Sequence, residues 1–462
     1  MIMPNKLHAL AFTLIAAGCV TTPNLPTYKA KLDGNFANAP ATQAEPVAEF
    51  WRGFGDADLD ALVEQAIKAN ADLRIAGANL REARALANFA DAQSKPSVGA
   101  TADAARVRAR DAFGQPQTSN VFAAGFDVAW EADLFGRFSS ERQAAAAQVL
   151  ANEALVRAAQ VSVASEVARN YFELRGFQEQ LRVAKASLET QRAALKLVEA
   201  RLAVGRGSAF DTERASALVQ TTAATIPSLE TALIRTRYRI AVLTGQVPTA
   251  LDTQLAAQKA LPGIKPVALN SIGSPENLLR RRPDVAAAEQ QVAAAAARIG
   301  VARSELFPRL TLGGTMGLNA GRIGDLGKSA AFAYNLGASL LWSLLDFGRN
   351  RAQIAAASAR GEAAVINYEK AVLGALEETE GALAAYTRTQ RQTENLFSAA
   401  QSASKAADIA RARFGAGTSD FLAVLDAERE LLAARDRLAQ AQTAGATSLV
   451  AVYKSLAGGW KL

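Results

Sequence analysis

Twice along this chain a helical pattern ends at a proline, gives way to an alternating one, and then resumes as a very long helical stretch. In the second occurrence Leu310, Leu312, Gly314, Met316 and Leu318 alternate with Thr311, Gly313, Thr315, Gly317 and Asn319. Past a loop around 321–328, Phe332, Tyr334, Leu336, Ala338, Leu340 and Trp342 alternate with Ala333, Asn335, Gly337, Ser339 and Ser343, with Leu341 the exception. The first occurrence sets Phe122, Ala124, Phe126, Val128 and Trp130 against Ala123, Gly125, Asp127, Ala129 and Glu131. Period two over such runs predicts strands with one apolar face and one small or polar face, here two hairpins over 97–131 and 309–343. Ahead of the first, a helix is expected from about Asp56 to Ser94, stopped at Lys95-Pro96 because the residue before proline is driven out of the helical region. Its counterpart starts at Pro283-Asp284, where a proline and an acid suit a first turn, and stops at Phe307-Pro308.

Beyond each hairpin, from Arg137 to about Ala203 and from Arg349 to about Phe414, there is no proline. At about 1.5 Å per residue, roughly 66 residues of helix would reach about 100 Å. Apolar positions fall at gaps of three and four: Val167, Tyr171, Leu174, Phe177 and Leu181, then Val365, Tyr368, Val372, Leu376, Thr379, Leu383 and Tyr386. A spacing near 3.5 predicts coiled-coil-like seams. Each long helix ends in a glycine turn, at 201–208 and 413–419, before a returning helix whose first turn carries Asp211 or Asp420. Glycine C-caps and N-terminal acids account for such helical hairpins without any function. They do not account for Arg201 and Arg413, each four residues before a turn glycine, Gly205 and Gly417.

The two patterns are one pattern repeated at a constant offset in numbering. Pro96 recurs as Pro308, Trp130 as Trp342, Arg137 as Arg349, Asp72 as Asp284, Glu166 as Glu378, and Gly205 as Gly417. A repeat this long points to a duplicated half-molecule with a shared role, not to a solenoid. The expected organisation is a leader over 1–18, an N-terminal lead over 19–55, a first repeat over 56–245, a linker over 246–282, a second repeat over 283–450 and a C-terminal segment over 451–462. Four strands cannot close a membrane barrel, since single-chain barrels begin at about eight, so the chain would supply a fraction of one. Taken alone, a hairpin of this pattern is equally that of half-buried strands in a soluble sheet.

Composition narrows the chemistry. Half of the 462 residues are hydrophobic and only 6% aromatic, as close-packed, alanine-rich helices require. The net charge of +7 is spread over a mixed-charge chain, and no basic cluster with interleaved aromatics suggests nucleic acid. Lys6, the apolar run Ala9 to Ala17 and Ala16-Ala17-Gly18-Cys19 form a processing signal that resembles a bacterial lipobox, which would leave Cys19 as an acylated N-terminus. Cys19 is the only cysteine and His8, inside that leader, the only histidine. Imidazole-based catalysis, Cys-His nucleophilic sites and His/Cys zinc sites are thereby excluded, and no phosphate-binding glycine loop is present. No cofactor or metal site is expected, and no enzymatic activity.

The motifs that remain are Trp51 to Asp58 with Asn70 and Asp72, Asp133-Leu-Phe-Gly-Arg137, Asn170-Tyr171-Phe172, Ile226-Pro227, Leu243-Thr-Gly245, Arg281-Arg-Pro-Asp-Val285, Arg298-Ile-Gly300 to Phe307-Pro308, Asp346-Phe-Gly-Arg349 and Arg413 to Arg429. In this set the chain resembles the TolC-like outer-membrane efflux factors, specifically their OprM/NodT lipoprotein branch. The resemblance covers nearly the whole chain after the leader. It implies a mainly α protein with a membrane β-barrel portion: a homotrimer with four strands per chain in a shared twelve-stranded barrel, continued by a long periplasmic helical barrel. It further implies docking of a periplasmic membrane-fusion adaptor at Arg201, Gly205, Arg413 and Gly417, with an inner-membrane pump behind the adaptor. Leu422, Asp426 and Arg429, on one helix face, match the family's periplasmic gate, with Phe414 as a second constriction. The offset maps that gate face to Phe210, Arg214 and Ala217, so only the second repeat carries the acid.

The function expected from this resemblance is a lipid-anchored, outer-membrane exit duct of a tripartite efflux system, of the resistance-nodulation-division type, for drugs or other small molecules. Two alternatives stay open on sequence alone: the outer duct of a type I protein-secretion system, and a non-conducting coiled-coil lipoprotein.

Overall fold

A computed structural model describes residue 25 and residues 34–38, 49–259, 261 and 274–456. The leader over 1–18, Cys19 and residues 457–462 lie outside the described residues, as do residues 262–273 of the linker.

Sequence repetition becomes repetition of elements. The chain runs α1 (Ala57–Ala69), α2 (Ala71–Gln93), β1 (Ser97–Arg110), β2 (Pro116–Ala132), α3 (Arg137–Ala203), α4 (Ala209–Leu243), α5 (Pro275–Arg281), α6 (Pro283–Ser304), β3 (Arg309–Ala320), β4 (Phe332–Leu341), α7 (Arg349–Gly415) and α8 (Phe421–Ser455). Helices α3 and α7 are both 67 residues long, α4 and α8 both 35, and the members of each pair start and stop at the offset of the sequence repeat.

The single helix expected from Asp56 to Ser94 is two helices, broken at Asn70. Asn70 adopts ψ 135°, and its Oδ1 accepts hydrogen bonds from the backbone N–H of Asp72 at 2.8 Å and Leu73 at 3.3 Å. A short amide side chain that replaces the missing backbone acceptors is a good N-cap, and here it starts a new helix within an unbroken apolar period. In the second repeat the same break, at Arg282 between α5 and α6, is enforced by Pro283.

The four strands form one antiparallel sheet in the order β1-β2-β3-β4. Ser97 pairs with Ala129 in the first hairpin and Arg309 with Leu341 in the second, the same register one repeat later. Phe126 opposite Met316 joins the hairpins. With this register all even-numbered strand residues share one face, and that face is open: Phe126, Met316, Tyr334 and Leu336 are 56%, 53%, 71% and 79% exposed. A soluble half-buried sheet would cover it, so the choice left open by alternation falls to a lipid-facing sheet. Indole N–H groups of Trp130 and Trp342 donate to the carbonyls of Ser94 and Leu306, 3.0 Å in both cases, and anchor strand ends to helix ends at matching places. Phe135 stacks on Phe307 with centroids 4.8 Å apart.

The chain divides into two compact units. Asn79–Glu153 with Ala287–Glu369 holds the sheet; Ala154–Ala286 with Lys370 onward and the preceding Ala30–Ala78 holds the rest. The core of the second unit gathers Trp51, Leu59, Leu62, Tyr171, Phe172 and Ile240. Asp56 caps α1 through the N–H of Asp58 and accepts the Tyr171 hydroxyl at 2.6 Å. Arg175, fully buried, reaches Asp58 at 3.1 Å, the Tyr171 hydroxyl at 3.0 Å and the carbonyl of Ala257 at 3.0 Å. Burial and the bond to Asp56 push the Tyr171 phenol above its ordinary pKa, so it remains a donor. Among the described residues no helix is long and apolar enough to cross a membrane.

Candidate functional site

The glycine turns lie in the second unit and are built alike. Gly205 has φ 71° and Gly417 φ 75°, the left-handed region in which a side chain is strained. The N–H of Gly205 donates to Leu202 at 2.9 Å and that of Arg206 to Arg201 at 2.8 Å; Gly417 and Thr418 repeat both bonds, to Phe414 at 3.0 Å and Arg413 at 2.9 Å. This is the paired closure of a Schellman cap, with the arginines at the residue whose carbonyl takes the longer-range bond. Ser208 and Asp420, equivalent in the two repeats, cap the returning helices through the N–H of Phe210 and Ala423. Nothing lies within 4 Å of where a Cβ would stand on either glycine. The demand for glycine is therefore conformational, and the turns are open.

The two arginines part company. The Arg201 guanidinium lies 4.0 Å from the centre of the Phe414 ring and donates to the Phe414 carbonyl at 3.3 Å. Arg413 is exposed and makes no side-chain hydrogen bond or ion pair among the described residues. Phe414 itself is buried with Val198, Ala215, Phe421, Val424 and Leu425, its ring 5.2 Å from that of Phe421. Phe414, expected as a second constriction, packs one helical hairpin against the other within the chain, covered by Arg201 and the apolar faces of α4 and α8.

The other gate candidates are on the surface. Leu422 is 37% exposed, and Asp426 and Arg429 border a groove of about 600 Å³ shared with Leu218, Thr221, Glu430 and Asp436. Asp426 and Arg429 form no ion pair with each other among the described residues; nearby, Arg411 takes Glu428, a buried acid that lies between them in sequence, and Asp408 at 2.7 Å. Burial raises the Asp436 carboxyl above its ordinary range against the pull of Gln440 and Arg437. At the corresponding place in the first repeat, Arg214 stands 5.4 Å from the Phe210 ring centre. The acid is confined to one repeat, as the offset requires.

Sequence reasoning took Arg281-Arg-Pro-Asp-Val285 as a family mark and a helix start and missed what Arg282 does. Arg282, almost buried, grips Asp284 at 3.0 and 2.8 Å and Glu378 at 2.7 Å, while Lys454 reaches Glu378 at 2.9 Å. Burial opposes the charge on both carboxylates, but Lys454 and Arg282 outweigh it at Glu378, and Arg282 with backbone N–H groups outweighs it at Asp284, so both sit below their ordinary pKa values. The signals in the chain were the recurrences of Glu166 as Glu378 and of Asp72 as Asp284. Among the described residues no cluster of three or more acids, histidines or cysteines could hold a metal ion.

Paired 67-residue helices that close on exposed glycine turns, joined to a sheet whose apolar face is uncovered, define an outer-membrane channel protein. The chain belongs to the outer membrane efflux protein family, whose profile matches residues 62–246 and 274–458, two segments related by the same offset as the repeat. It is 32% identical over 474 residues to the pyoverdine export outer membrane protein OpmQ of Pseudomonas aeruginosa, covering 99% of this chain and 97% of that protein. Nodulation protein T of Rhizobium leguminosarum bv. trifolii is 29% identical, with 93% and 92% covered. The solved outer-membrane channel OprN has a TM-score of 0.89 and 38% identity, covering 96% of this chain and 100% of that one. The fold is TolC-like, and the protein is an efflux channel of the outer membrane that extends into the periplasm, a member of a family of channels, not enzymes, that serve tripartite efflux systems.

Proposed function

We propose that three copies of this chain form a passive exit duct for small molecules, with a periplasmic adaptor bound at the glycine turns and an inner-membrane pump supplying the energy. One observation carries the reading: the sheet has two unpaired edges, β1 and β4, and an uncovered apolar face. Backbone groups at an open edge cannot be left in lipid without partners, so the edges must meet those of other copies, and three sets of four strands close a barrel wide enough for a lumen. A non-conducting coiled-coil lipoprotein has no use for such a sheet. Pyoverdine export by the OpmQ relatives, solvent and toluene efflux by others, and cation efflux by CusC favour small cargo over secreted protein. Acylation of Cys19 would add an anchor to the inserted sheet.

On this reading the copies meet through the relation seen within the chain. Because Phe126 opposes Met316 within the chain, the same relation advanced by one repeat sets Ala338 opposite Ala104 of the neighbouring copy. Directly paired residues have Cα atoms about 4.5–5.5 Å apart, within disulfide reach. Oxidation of an Ala104→Cys/Ala338→Cys variant should give covalent trimers on a non-reducing gel, with neither single variant doing so. Monomers from the double variant in intact outer membranes would overturn the closure.

A further inference from the structure

The even face of the first hairpin ends in a feature that channel closure does not use. Along β2 the apolar positions run from Phe122 to Ala132, about 34 Å of strand, or about 26 Å of height at a tilt near 40°, the thickness of a lipid-facing band. Directly past its far edge, on the paired strand and the same face, stand Arg106, Arg108 and Arg110, opposite Asn120, Thr118 and Pro116. Strand ends Ser97 and Ala132 lead to the periplasmic helices, so the arginines flank the outer turn at 111–115. All three are exposed, and none forms an ion pair among the described residues. Arg110 uses one donor on the carbonyl of Gly114 at 2.7 Å, which fixes its stem and leaves other N–H groups outward. No acid shares the face: Asp103 points to the other side by parity, and Asp111 is engaged with the turn N–H groups of Phe113 and Gln115. In the second repeat the equivalent positions are Leu318 and Ala320 on the strand, with Arg322 beyond its end. The arginine ladder belongs to the first hairpin alone and is not a by-product of duplication.

The geometry points to a binding site for the phosphate groups of outer-leaflet glycolipid. Three guanidinium groups about 7 Å apart along a strand, immediately above hydrocarbon depth, meet the leaflet whose headgroups in a Gram-negative outer membrane are phosphorylated lipid A. Guanidinium pairs with phosphate through two parallel hydrogen bonds, and these pairs are strongest at the edge of a low-dielectric layer. Trimer closure would repeat the ladder three times around the rim. The inference rests on insertion of this sheet in the outer membrane and does not depend on the gate or the adaptor.

The test uses the full-length trimer and purified lipopolysaccharide. After detergent extraction, the wild-type protein should retain about threefold or more lipopolysaccharide per trimer than Arg106→Gln/Arg108→Gln/Arg110→Gln. Native mass spectrometry of the wild type mixed with equal bisphosphorylated and dephosphorylated lipid A should show about threefold or greater preference for the former, a measurement that needs no variant to fold. Equal retention by the variant, or equal binding of the two lipids by the wild type, overturns the site. A heat-modifiable trimer in outer-membrane fractions with no phosphate preference would sink the lipid site while leaving the barrel intact.

Discussion

Arg282 Nη1 donates to the carbonyl oxygen of Ser455 at 3.0 Å, and at the equivalent positions of the first repeat Asn70 Nδ2 donates to that of Leu243 at 2.9 Å. Each acceptor is the last residue of a 35-residue helix, and each donor sits where two helices break. The repeat has thus kept a contact that spans 173 positions while exchanging an amide for a guanidinium. The amide both caps α2 and satisfies a helix-end carbonyl.

Asn70→Ala should therefore remove two functions at once and lower stability by about 1–3 kcal/mol. Asn70→Asp keeps the capping oxygen but loses the donor, and should fall between Ala and wild type. Urea unfolding of the detergent-solubilised protein, followed by helical circular dichroism, reads the order. Equal loss in both variants would show that the cap contributes nothing.

Why the break at Asn70 was hidden is clear from this contact. The apolar period runs through it, asparagine is no strong helix breaker, and its partner is 173 residues away. By contrast Pro96, Pro308, Gly205 and Gly417 act on their own backbone, so the junctions and turns were legible from local chemistry alone. Strand parity was legible too, since a one-residue slip would have put Asp127 and Asn335 in lipid. The burial of Phe414 was not, because an aromatic beside a turn looks the same whether an arginine from the other repeat covers it or not.

Acid should loosen the network around Arg282. Glu378 and Asp284 have folded-state pKa values below their ordinary ones, so their contribution is complete above the ordinary values of 4.5 and 3.8 and is lost as pH falls through the folded values. Glu378→Gln should cost about 1–2 kcal/mol at neutral pH, toward the lower end because its side chain is 35% exposed. The variant should also show a flatter decline in melting temperature below about pH 4.5 than the wild type. A parallel decline would place the acid sensitivity elsewhere.

The glycine turns allow docking to be separated from folding. Asparagine tolerates left-handed backbone, and a side chain on either glycine would meet open space. Gly205→Asn/Gly417→Asn should leave trimers and their melting temperature nearly unchanged yet add bulk to both tips. If the adaptor seats there, cross-linking to it and drug resistance should both drop; unchanged values would move the docking surface off the turns.

Asp426 and Arg429 can be distinguished from Phe414 by what each variant changes. Both charged groups are exposed beside a groove and form no ion pair among the described residues, so in a trimer they are available to residues of the neighbouring copies around the pore axis. A closed ring held by such pairs should leak when either member is removed, and Asp426→Ala or Arg429→Ala should raise resting conductance in planar bilayers on the order of threefold. Phe414→Ala acts on a buried ring between hairpins and should instead cost about 3–5 kcal/mol of stability. Reversal of the acid in Asp426→Arg should further reduce the preference for cations, because three negative charges at the constriction become positive. Conductance unchanged in both charge variants, with trimers intact, would remove this face of α8 from the gate and leave the groove as an ordinary solvated surface.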